Sequence, residues 1–118
     1  MRDHRKLEAF ELADGLALQV YKATRDFPAE ERFGLTSQIR RAAVSIGANI
    51  VEGSARASEA DYVRFLNIAY SSACELEYEL SIASRLGYLD AGANVLLVAS
   101  RTCRALRGLV AAIKNDTD

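Results

Sequence analysis

The feature that most constrains this chain is the spacing of its apolar residues. From Leu7 to Ile113 they recur at intervals of three and four, and no stretch alternates as a half-buried strand requires. Over residues 7–25, Phe10, Ala13, Leu16, Ala17, Val20 and Tyr21 fall on one arc of a 3.6-residue helix. Glu8, Glu11, Asp14, Gln19 and Lys22 fall on the other. Asp26-Phe27-Pro28 ends this helix, because the residue before a proline is pushed out of helical geometry. Residues 29–34 read as a short turn of helix and a bend. A second helix over 35–52 carries Leu35, Ile39, Ala42, Ala43, Ile46 and Ile50 on its core face, with Gly53 placed as a C-terminal cap. Gly47 inside it suggests close approach by another backbone.

The third helix, over 58–86, is the longest. Ser58 is its expected N-cap, with Glu59 and Asp61 favourable in the first turn. Tyr62, Phe65, Leu66, Ala69, Ala73, Leu76, Leu80 and Ala83 line its face, and Gly87 ends it. The fourth helix, over 91–114, buries Val95, Val98, Ala99, Thr102, Leu106, Leu109, Val110 and Ile113. Residues 115–118 read as a frayed polar tail. Four amphipathic helices on short connections can hide their stripes only against one another. The expected fold is therefore all-α, an antiparallel up-down-up-down four-helix bundle forming one domain over residues 1–118. A single proline and the absence of tryptophan agree with long helices rather than a turn-rich β fold.

One bundle does not consume every apolar side chain. Val44 and Val51 point away from the core face of the second helix, and Leu18 sits among the charges of the first. Ile68, Tyr78 and Ile82 lie outside the core arc of the third, with Tyr70 and Cys74 outside it on the other side. Apolar positions left over on several helices together suggest an oligomer interface or a protein partner's surface, so Leu18, Val44, Val51, Ile68, Tyr78 and Ile82 are the candidates. Arg101, Arg104 and Arg107 lie opposite the apolar stripe of the fourth helix. Residues 91–118 hold four basic and two acidic groups, against eleven and fourteen before them. Three arginines at this spacing can touch successive phosphates of RNA or DNA, with Arg40 and Arg41 as further candidates. They equally suit a solvated helix face. With 15 basic against 16 acidic side chains, the chain lacks a global positive field.

Chemistry is sparse. His4 is the only histidine and sits in a polar leader, where a solvated side chain is the expectation. No glutamate–histidine pair stands at helical spacing for a di-iron site, and no phosphate-binding loop or dinucleotide fingerprint occurs. No base stands beside a Ser, Cys or Thr to argue a triad. Cys74 and Cys103 match no metal spacing and read as two reduced, partly buried thiols. No catalytic, cofactor-binding or metal-binding residues are expected. The informative polar residues, Gln38, Asn49, Glu52 and Glu77, are read as structural. Asn49 would satisfy backbone groups across a helix junction. Glu77 is placed closer to the core than Glu75 or Glu79, paired with Arg40 or Arg41. A charged N-terminus and the lack of an apolar run of about 20 residues point to a cytoplasmic protein without a membrane span.

Several ordered runs resemble a known family. Phe27-Pro28, the run from Glu31-Arg32-Phe33-Gly34-Leu35 through Gln38-Ile39-Arg40-Arg41 to Ile46, and Asn49-Ile50-x-Glu52-Gly53 resemble the bacterial four-helix bundle proteins encoded in 23S rRNA intervening sequences. The likeness continues through Phe65-Leu66, Ala69, Ser72, Glu75-Leu76-Glu77 and Arg85-Leu86-Gly87-Tyr88-Leu89. Where many members have proline after Ser45-Ile46, this chain has Gly47. The resemblance implies a ring-shaped homopentamer. It also brings in a relative, the accessory protein of diversity-generating retroelements, a basic pentamer that binds nucleic acid and a reverse transcriptase.

Together these features favour a non-enzymatic, self-assembling helical scaffold or adaptor. The alternative is an oligomeric ring that binds RNA or DNA through basic residues of helices two and four.

Overall fold

The computed structural model describes residues 2–117, and it forms four helices: α1 (Glu8–Ala23), α2 (Leu35–Ser54), α3 (Glu59–Arg85) and α4 (Asn94–Thr117). Each packs against its two neighbours around a square. α1 touches α2 and α4, α3 touches α2 and α4, and neither diagonal pair meets. The result is a rod of 46 × 23 × 19 Å, matching the roughly 40 Å of a 27-residue helix at 1.5 Å per residue.

The core is one column of aliphatic side chains. Leu16, Val20, Ile39, Ile46, Ile50, Leu66, Leu76, Leu80 and Leu106 are fully buried, with Ala13, Ala43, Ala69, Ala73, Ala83 and Ala99 letting the helices close on one another. Phe10, Leu35, Val98, Leu109 and Ile113, expected in the core, are half-buried at its margin. Tyr21 departs further: it is exposed, and the Arg40 guanidinium lies 4.7 Å from its ring centre.

Helix ends differ from expectation where side chains outside the helix intervene. α1 stops at Ala23, because the Thr24 hydroxyl donates to Val20 O at 2.8 Å and turns the chain before Pro28. α4 begins three residues late, after a turn in which Ala93 N–H donates to Asp90 O. It runs on through Thr117 rather than fading at 114, so most of the expected tail is helical, and Asp118 lies outside the described residues. Ser58 caps α3 as expected, its hydroxyl accepting from Asp61 N–H at 3.1 Å. Gly87, which follows α3, holds φ at +83°, a conformation that favours glycine.

Gly53 is not a cap. α2 continues through it to Ser54, and Gly53 is the point of closest approach to α3: a Cβ there would stand 2.7 Å from Phe65 Cβ and 3.4 Å from Tyr62 O. Gly47, where close approach was expected, meets only the edge of the Phe10 ring, at 3.9 Å.

The two connections at one end of the rod are tied together. Glu31 receives Leu35 N–H on one carboxylate oxygen and the Tyr88 hydroxyl, at 3.0 Å, on the other. The Phe27 and Tyr88 rings pack at 5.4 Å. At the opposite end the leader is docked rather than loose. Arg2 N–H donates to Ser54 O, and the Arg2 guanidinium lies 4.1 Å from the Tyr62 ring centre. His4 meets Phe10 edge-on at 4.7 Å, so it is part of this packing instead of a solvated side chain.

Candidate functional site

Apolar side chains remain on the outer faces of α2 and α3 once the core is closed, and basic ones on that of α4. Val44 and Val51 are exposed on the α1 side of α2, one turn after Arg40 and Gly47, which meet Tyr21 and Phe10 of α1, whereas Ile68 and Tyr78 are exposed on α3, Tyr78 by 63%. Ile82, grouped with them from the sequence, is half-buried. Beside Ile68 runs a shallow groove lined by Ala60, Val63, Arg64, Asn67 and Ser71. Leu18 is 62% exposed but stands on α1, diagonal to α3, so it reaches Ile68 and Tyr78 only by way of α2.

Between α2 and α3 runs a polar seam. Ser45 and Ser72 hydroxyls meet at 2.9 Å, and Asn49 Nδ2 donates to Ser45 O at 2.8 Å and to Ser45 Oγ at 3.0 Å. Asn49 therefore braces its own helix and the serine pair. It does not cross a helix junction, since an i−4 carbonyl lies directly beneath it. Gln38 is exposed at the mouth of the seam with Arg41 and Glu75. Glu52 is exposed and pairs with Arg56 at 3.3 Å.

The buried carboxylate is Glu79, not Glu77. Glu79 is 5% exposed, and its Oε1 has no hydrogen-bond partner among the described residues. Burial first, then the neighbouring Glu75, push its carboxyl up to about 7, with Arg41 pulling the other way. The sequence carried this signal: Glu79 stands three residues after Leu76 and four before Ala83, both on the core stripe. Glu77 is exposed on the α4 side, beside Cys103. The expected partners shift with it. Arg41 faces Glu79, whereas Arg40 Nε donates to Thr24 Oγ1 at 2.9 Å.

The arginines do not form one patch. Arg101, Arg104 and Arg107 are exposed on α4, and Arg104 donates to Ser100 Oγ at 2.7 Å. Arg40 and Arg41 stand on α2, at the opposite corner of the square, and Arg40 is already engaged by α1. Phe33, absent from the sequence-based candidates, is the most exposed large apolar side chain at 89%. Its neighbours in Glu31-Arg32-Phe33-Gly34 have local tasks. Glu31 ties the loops, Arg32 lies over the Phe33 ring, and a side chain at Gly34 would press on Glu31 Oε1 at 3.0 Å. Only its place in that run could have marked it.

No three His, Cys, Asp or Glu side chains among the described residues are disposed to hold a metal ion. No helix among them is long and apolar enough to cross a membrane. The sequence model of the 23S rRNA-intervening sequence proteins matches residues 5–106. The chain belongs to that family. Among solved structures it is similar to a protein of unknown function from the S23 ribosomal protein family of Bacteroides thetaiotaomicron VPI-5482. The two are 26% identical, with a TM-score of 0.78 over 86% of this chain and 94% of that one. No curated protein sequence matches the chain. For this member of the 23S rRNA-intervening sequence proteins, the matched span takes in α2, α3, Arg101 and Arg104, and stops one residue short of Arg107.

Proposed function

We propose that this chain is a non-enzymatic, self-assembling scaffold or adaptor, and that the outer faces of α2 and α3 are its assembly surfaces. The observation that carries the reading is a pair of exposed apolar side chains on each helix. Val44 and Val51 are exposed on α2, and Ile68 and Tyr78 on α3, with a groove beside Ile68. Apolar side chains grouped in this way gain by burial against another surface. The homopentameric ring that the family resemblance implies is the form this proposal takes. A closed ring joins two different faces of each protomer. Phe33, exposed at one end of the rod, supports a second contact there with a protein partner.

The test is the solution mass of V44E/V51E measured by light scattering after gel filtration, alongside circular dichroism. A folded species of lower mass than the parent supports the interface. A folded variant of parental mass removes it. The nucleic-acid alternative rests on Arg101 and Arg107, which make no ion pair among the described residues. Reversing Arg101, Arg104 and Arg107 to glutamate would then abolish binding to structured RNA or duplex DNA at unchanged mass. Unaltered affinity would exclude the stripe.

A further inference from the structure

The flank of α3 that faces α4, opposite its seam with α2, holds a further group of side chains. Cys74 of α3 and Cys103 of α4 bring their sulfurs to 3.5 Å. Cys74 is exposed and Cys103 half-buried, so Cys74 is the more accessible of the two. Tyr70 and Glu77 of α3 and Arg107 of α4 stand near the pair: Cys74 raises the Tyr70 hydroxyl and Arg107 lowers it, and Glu77 approaches Cys103. Burial, then Cys74 and Glu77, push the Cys103 thiol up to about 12, so at neutral pH it is protonated and the less reactive sulfur.

We propose that Cys74 and Cys103 form a peroxide-reactive dithiol site, at which oxidation of the exposed Cys74 is followed by an intramolecular disulfide joining α3 to α4. In the first step the Cys74 sulfur attacks hydrogen peroxide. An S–O bond forms, the O–O bond breaks, and water leaves, giving the sulfenic acid. In the second, the Cys103 sulfur attacks Cys74. An S–S bond forms, the S–O bond breaks, and the hydroxyl leaves as a second water carrying the Cys103 proton. Two thiols thus give up two electrons and two protons to one peroxide, which leaves as two waters. The sulfurs need only close from 3.5 Å to about 2.05 Å, a shift that side-chain rotation on two facing helices can share. The bond would close a loop spanning 29 residues and fix the α3–α4 hairpin covalently.

The test treats the full, reduced protein with hydrogen peroxide and follows intact mass, tryptic peptides under non-reducing conditions, and amide exchange. The expected product is a monomeric chain lighter by two hydrogens. In it the peptide of residues 65–85 is linked to that of residues 102–104, and α4 exchanges several-fold more slowly. C103S should halt at a sulfenic acid on Cys74 that dimedone traps. C74S should resist the same dose. Chains crosslinked to one another, sulfinic acid on Cys74 without the linked peptide, or C74S oxidised as fast as C103S would each overturn the proposal.

Discussion

Replacing Glu79 by glutamine should stabilise the bundle in mildly alkaline solution and leave it nearly unchanged in acid. In the fold, burial and Glu75 raise the Glu79 carboxyl from its ordinary 4.5 to about 7. The folded chain therefore holds a proton that the unfolded chain has already released between those values. Stability falls as pH rises through that window, and the loss is complete above the folded value. Each tenfold difference in proton affinity is worth about 1.4 kcal/mol, so the charged carboxylate costs the fold a ceiling of about 3.5 kcal/mol. Glutamine keeps the shape, carries no charge, and can donate to the Glu75 carboxylate. Urea denaturation of parent and E79Q at fixed protein concentration should differ by roughly 2–3 kcal/mol at about pH 8 and by almost nothing at about pH 4. Because Arg41 opposes the shift, R41Q should steepen the pH dependence of the parent. A difference between parent and E79Q that is equal at both pH values, or a less stable E79Q at about pH 8, would refute the reasoning.

Four further substitutions probe the backbone and its caps. G53A should destabilise by about 1–3 kcal/mol in urea denaturation, because its methyl would meet Phe65 Cβ at 2.7 Å and force α2 from α3. G87A should cost about 1 kcal/mol by strain at φ +83°, although nothing lies within 4 Å of the new Cβ. The same change at Gly92, which keeps ordinary φ, should not show that strain. S58A removes the hydroxyl that accepts from Asp61 N–H and should lower the thermal midpoint by an amount equivalent to about 1 kcal/mol.

Much of the architecture was legible because burial on a helix follows residue spacing. Leu16, Ile39, Ile46, Leu66, Leu76, Leu80 and Leu106 were all placed in the core by their intervals of three and four, and all are fully buried. Ser58 and Gly87 were legible too, since a cap and a left-handed turn are local events. Glu79 was missed because Glu77 was placed nearer the core, whereas the register of Leu76 and Ala83 sets Glu79 on the side of α3 that α2 covers. Gly53 was misread because a glycine near a helix end has two uses. Freedom of φ is local, but close approach depends on a second helix.

The sequence by itself therefore determined the four helices, their apolar stripes and the all-α class, since these depend on residues within a turn or two of one another. Tertiary structure alone decided which leftover residues meet. It put Arg40 against Thr24 and Tyr21, set Arg41 by Glu79, separated the α2 arginines from those of α4, and brought Cys74 to Cys103. The physical reason is rotational. Each helix can turn about its own axis by a fraction of a residue's arc without changing its sequence pattern, and only packing against two neighbours fixes that angle.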